Sequence, residues 1–176
     1  AIELNAGALP VPFKVESQSR VGPTIGVDSI QKSIIATIIG ITSVAVFMVV
    51  YYRILGVFAV FALLIYTILV FAIFKLIPVT LTLAGIAGFV LSIGMAVDAN
   101  ILIFERMKEE IRWQKPKHEA FYLGFERAWS SIRDSNVSSL ITTAILFNFG
   151  TGAIRGFALT LALGILVSMF SAITVS

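Results

Sequence analysis

The chain has 176 residues, of which 58% are hydrophobic and only 13% charged, with a formal net charge of +3 and no cysteine; its mean hydropathy is +0.98. Soluble domains carry about 25% charged residues, so this much apolar surface does not fit one water-soluble core, and a multi-spanning membrane protein is the class that remains. Disulfide frameworks, thiolate metal sites and thiol catalysis are excluded. The basic excess does not point to nucleic acid, because Lys and Arg cluster in loops between apolar runs, as membrane topology requires.

Residues 1–27 are broken by Pro10, Pro12, Gly22, Pro23 and Gly26 and read as the end of a periplasmic domain and its linker. The chain opens with Ala1-Ile2-Glu3, shows no leader pattern and stops inside an apolar run at Ser176, so a piece of a larger protein is expected. Asp28 and Gln31 offer a capping box for a first span over about 30–52. Lys32 is placed to snorkel, and Tyr51, Tyr52 and Arg53 to anchor that span at the interface.

A second span is predicted over 54–74, ending at Lys75 and Pro78, and a third over 79–104. A fourth covers about 135–149; it opens with Asn136, Ser138, Ser139, Thr142 and Thr143 and is not expected to face lipid all round. The turn GTGAIRG leads to a fifth, about 156–176, in which Gly156, Thr160, Gly164, Ser168 and Ala172 recur every four residues as a packing seam. The expected fold is an all-α polytopic bundle of five transmembrane helices.

The loop over 105–134 has its own periodicity. Phe121, Phe125, Ala128, Trp129 and Ile132 oppose Lys117, Glu119, Glu126, Arg127 and Arg133, which predicts an amphipathic helix on the inner membrane surface, a plain connection being the alternative. Arg53 and the loop's Arg106, Lys108, Arg112, Lys115, Lys117, Arg127 and Arg133 outnumber the cations on the other side. That excess puts the loop and the C-terminus in the cytoplasm and the N-terminal segment outside. His118, the single histidine, sits in this wet loop and is read as solvated.

Asp98 is the unusual residue. It lies seven residues before Glu105, roughly 10 Å into the membrane, which is too deep for an aspartate to snorkel out. A charge at mid-bilayer costs about 2.5 to 3.5 kcal/mol, and intramembrane carboxylates mark ion or proton pathways by default. At about 100° per residue, Asp98 shares a face with Gly94, Leu91, Ala87 and Ala84, and Asn100 points nearly the opposite way. Gly85, Gly88, Ser92, Ala96 and Ala99 make a stripe of small residues between these directions, so the third span is expected to be surrounded by helices. Asn136, Ser139 and Thr143 form one face of the fourth span, able to bond Asn100 or water, while Asp134 and Ser135 read as its N-cap. Arg53, Lys75, Arg133 and Arg155 all fall at interfaces, so a cation for Asp98 is expected from another chain.

The blocks GIAGFVLSIGMAVDANILIFERMKEE, SSIRDSNVSSLITTAILFNFGTGAIRGFALT, NAGALPVPFKV and VGPTIGVDSI closely resemble the SecD family of bacterial protein-export factors, in the RND superfamily, from about Leu4 to Ala172. The resemblance implies the last five of six transmembrane helices in the cytoplasmic membrane, beside SecF and the SecYEG channel. It further implies an export component, not an enzyme, that assists unfolded preprotein outward on the proton-motive force (sodium in some relatives), with lipid as surroundings and no cofactor or metal. Asp98 matches the proton-carrying aspartate of the family's D-A-N motif, Asn100 completes it, and Asn136 lies in its D-x-N motif. The aspartate and arginine that complete the path belong to SecF. DSNVSSL stands here where DANVTTL is commoner, a change that keeps the hydroxyls.

Other readings of the same residues are a small-molecule or lipid exporter of that superfamily, a purely structural assembly subunit, and an intramembrane aspartyl protease. The last pairs Asp98 with Asp134, which as a cap residue is offset in depth.

Overall fold

A computed structural model describes residues 23–77, 79 and 81–174. Of the segment 1–27 read as the end of a periplasmic domain and its linker, residues 1–22 lie outside them, and residues 23–27 already belong to the first helix. Five helices follow one another: α1 (Pro23–Tyr52), α2 (Ile54–Leu76), α3 (Leu83–Arg112), α4 (Lys117–Phe149) and α5 (Gly152–Thr174). Among the described residues, four stretches are long and apolar enough to cross a membrane: Asp28–Tyr52, Ile54–Leu76, Leu83–Arg112 and Gly152–Thr174. α4 is long enough, but its charged first half and hydroxyl-rich second half leave it less apolar than the others.

The helix ends differ from expectation for local reasons. α1 starts before Asp28, which therefore caps nothing and instead pairs with Lys32 one turn on, at 2.8 Å. A single turn residue, Arg53, with φ 52°, reverses the chain into α2. Gly56 then lets the two helices meet backbone to backbone, because a Cβ there would run into the Met48 carbonyl. α3 begins at Leu83, not at 79, where the Thr82 hydroxyl accepts a 3.1 Å hydrogen bond from the Gly85 N–H. It also runs eight residues past Phe104, braced by Glu105–Lys108 and Arg106–Glu109 pairs at 3.0 and 2.8 Å.

The largest difference is α4. The predicted surface helix and the predicted fourth span are one continuous rod of 33 residues, and Asp134 and Ser135 lie in its interior rather than at a cap. The face carrying Ala120, Gly124, Ala128 and Ile132 is buried in the bundle, with Gly124 against Met107 of α3. Of the predicted apolar stripe, Ala128 and Ile132 are buried in the bundle, Phe125 and Trp129 are half-buried against it, and Phe121 stays exposed. α5 starts at Gly152 after a two-residue turn, four residues before the expected boundary.

α3 is the hub. It runs parallel to α5, with Gly88 opposite Thr160 and Ser92 opposite Gly164. The small stripe foreseen on α3 and the four-residue seam of α5 are the two faces of this contact: Ser92, Thr160, Ser168 and Ala172 are all at most 3% exposed. Tyr66 of α2 ties the pair together, donating to Ser92 Oγ at 2.7 Å, with the Gly164 carbonyl at 3.3 Å. Gly94 does not belong to the seam, since a Cβ there would touch nothing within 4 Å. The third span is therefore packed on one side and open on the other, not surrounded within this chain.

Candidate functional site

The open side of α3 carries Asp98. Ala87, Leu91, Gly94 and Asp98 are exposed along it, while Ala96, Val97, Ala99 and Asn100 turn into the bundle. Exposing Asp98 places it in a groove of about 220 Å³ between α3 and α4, with Met95, Ala99 and Leu102 on its own helix. Ser135, Asn136 and Ser139 of α4 line the opposite wall, above Ile132. Because α4 runs antiparallel to α3 without a break, its D-S-N segment arrives at the depth of Asp98. A cap at the interface would have placed it shallower.

Among the described residues, no salt bridge or hydrogen bond reaches Asp98. Ser139 already donates to the Ser135 carbonyl at 3.0 Å, and Ser135 to that of Ile132 at 3.1 Å. Both hydroxyl oxygens keep lone pairs for water in the groove. The nearest charges along α4, Arg133 and Asp134, pair with each other at 3.1 Å and are well exposed. The groove is thus a carboxylate facing an amide and two hydroxyls, with one side open for another helix.

The expected residues separate into two sets. Asp98, Asn136 and Ser139 come together. Asn100 does not line the groove; it is buried and engaged inside the bundle. Thr143 is 2% exposed and donates to the Leu140 carbonyl at 2.8 Å, about one turn beyond the groove. Gly85, Gly88, Gly156 and Gly164 serve the α3–α5 contact. Ser135 is a wall residue that its reading as a cap concealed. Tyr66 was not singled out either; the adjacent hydroxyls of Tyr66 and Thr67 in the apolar run of α2 are the signal for it. Among the described residues no group of three His, Cys, Asp or Glu side chains has the geometry of a metal site.

A bundle of long apolar helices, with an acidic groove on its open face among the described residues, defines a polytopic membrane protein. Residues 5–176 match the family model for the C-terminal region of the protein export membrane proteins SecD/SecF, and the chain belongs to that family. It is 57% identical to the protein translocase subunit SecD of Thermobaculum terrenum and 53% identical to that of Synechocystis sp., covering the whole of this chain but 35% and 37% of those proteins. It spans about a third of the length of these relatives. Among solved structures it is similar to SecDF from Thermus thermophilus, described as a translocon-associated membrane protein, with a TM-score of 0.85 at 40% identity over 88% of this chain and 22% of that one. A super-membrane-facing form of SecDF aligns with a TM-score of 0.81 at 41% identity, over 95% and 23% of the two chains.

Proposed function

We propose that this chain is the membrane-embedded part of a SecD subunit, that it works with SecF beside the SecYEG channel, and that it couples the proton-motive force to the outward movement of unfolded preprotein. The observation that carries the reading is Asp98: an acid at membrane depth, unpaired within the described residues, on the open face of the central helix and opposite Ser135, Asn136 and Ser139. The names of the relatives support the transport class. The distribution of basic residues supports a cytoplasmic hairpin between α3 and α4, an outer N-terminal segment and an inner C-terminus.

In this mechanism Asp98 takes a proton on one side and releases it on the other as the partner helix covers and uncovers the groove. Neutral Asp98 tolerates an apolar neighbour; ionised Asp98 demands water or a cation, so the two protonation states favour different arrangements of α3 against its partner. A potential of 100 mV supplies about 2.3 kcal/mol per charge moved, enough to bias a two-state movement tens-fold. The Asn136 amide and the Ser135 and Ser139 hydroxyls hold the water through which the proton arrives.

The test is preprotein export into inverted membrane vesicles with ATP withdrawn and the proton gradient intact, using the full-length protein. Asp98→Asn is expected to abolish the gradient-dependent phase while the complex still assembles. Wild-type export from the variant removes the proposal. Replacing the proton gradient by a sodium gradient decides the coupling ion.

A further inference from the structure

We infer that the cytoplasmic edge of the bundle holds one anionic phospholipid, with an acyl chain in a groove between α2, α3 and α4 and the phosphate between Arg53 and Lys117. The inference rests on the cytoplasmic placement of the α3–α4 hairpin proposed above.

The groove encloses about 260 Å³ and is apolar throughout: Leu55 and Phe58 from the first two turns of α2, Ile103, Phe104 and Met107 from α3, and Phe121 from α4. It sits where the apolar part of α3 gives way to Glu105 and where α2 has just begun, the depth of the upper acyl chain. Phe58 is 65% exposed and Phe121 49%, so its walls are open sideways to lipid. Trp113 and Tyr122, also largely exposed, place interfacial aromatic rings on the same hairpin.

The charges beside the groove single out its mouth. On this side of the bundle, Arg106, Lys108, Lys115, Arg127 and Arg133 each have a carboxylate oxygen within 3.1 Å. Among the described residues Arg53, Arg112 and Lys117 have none within salt-bridge distance. Arg112 lies in Coulombic reach of Glu105 near the hairpin tip. The other two adjoin its lining residues along the chain: Arg53 stands two residues before Leu55, and Lys117 one helical turn before Phe121. Both are exposed. Two uncompensated cations adjoining the lining of an apolar slot complement a phosphate carrying a hydrocarbon tail, and a soluble phosphate leaves the slot unfilled. Attraction of a Lys or Arg to an anionic leaflet corresponds to about fivefold in binding per residue.

Full-length protein in nanodiscs of mixed phosphatidylcholine and phosphatidylglycerol, analysed by native mass spectrometry, tests this. One phosphatidylglycerol is expected to stay bound in preference to phosphatidylcholine, and Arg53→Gln with Lys117→Gln to lower that preference on the order of twentyfold. Lys75→Gln with Arg155→Gln, at the opposite ends of the helices, leaves it intact. Glycerol phosphate does not displace the lipid. Equal retention of the two lipids overturns the inference, as does an equal loss in both double variants, displacement by glycerol phosphate, or a protein cross-linked to position 121 in place of lipid. A cysteine at position 117 separates the two claims. Labelling by an impermeant reagent in intact cells sinks the topology; labelling only in inverted vesicles, without phosphatidylglycerol preference, sinks the lipid site alone.

Discussion

Arg127 donates a 2.6 Å hydrogen bond to the Glu110 carboxylate across the hairpin between α3 and α4, seventeen residues away in sequence. The other Glu110 oxygen meets Lys115 Nζ at 2.9 Å, and the Glu110 side chain is 1% exposed. Arg127 also lies over the Trp113 ring, at 5.1 Å. The cluster fastens the start of α4 to the end of α3 and explains why α4 stands along its neighbour.

Removing one partner of such a pair leaves the other charge uncompensated, whereas removing both does not. Arg127→Gln or Glu110→Gln is therefore expected to lower the melting temperature of the purified protein by several degrees. The Arg127→Gln/Glu110→Gln double variant should fall short of the sum of the single losses. Strict additivity in a thermal-melt cycle contradicts the coupling.

The seam between α3 and α5 makes a paired prediction. A Cβ at Gly164 overlaps the Ser92 side chain, so Gly164→Val is expected to cost about 1–3 kcal/mol from overpacking. Gly94→Ala has open space around it and is expected to be neutral or mildly stabilising in the isolated chain. Denaturant titration in mixed micelles ranks the two; a more damaging Gly94→Ala refutes the assignment of the open face.

Tyr66→Phe removes the hydroxyl that joins three helices. Ser92 keeps its own 2.6 Å bond to the Phe89 carbonyl, so no buried donor is stranded. The expected loss is about 0.6 kcal/mol, the average for interhelical hydrogen bonds in membranes. Measured unfolding free energies check it, and a loss several times larger shows that the node carries more than this bond.

In the groove, Asn136→Leu is expected to slow gradient-driven export severalfold without abolishing it, and Ser135→Ala to act more weakly. Initial export rates in vesicles decide. An Asn136→Leu variant as inactive as Asp98→Asn makes Asn136 a participant equal to the acid.

Much of this was legible in residues that act locally. Helix lengths follow from apolar runs, the α3 and α5 contact faces from small residues at four-residue spacing, and the face that Asp98 shares with Ala87, Leu91 and Gly94 from helical geometry. What escaped was decided by distant partners. Asp134-Ser135 has the chemistry of a cap, and the packing of Ala120, Gly124 and Ala128 on α3 overrides it by extending the helix through them. By contrast, the helical step of about 100° already sets Asn100 nearly opposite Asp98, and the structure turns it into the bundle accordingly. The Tyr66–Ser92–Gly164 node joins residues up to 98 positions apart, a pairing that no local periodicity encodes.

The reach of α3 past the bilayer turns it into a tiller. Its 30 residues are about 45 Å long, against a hydrocarbon layer of about 30 Å, and the Ser92 node lies roughly a third of the way along. A swing of about 10° around that node carries the far tip at Arg112 sideways by about 5 Å, close to one helical pitch. With α4 lashed alongside, a slight rotation inside the membrane becomes a stroke large enough to be read beyond the membrane surface.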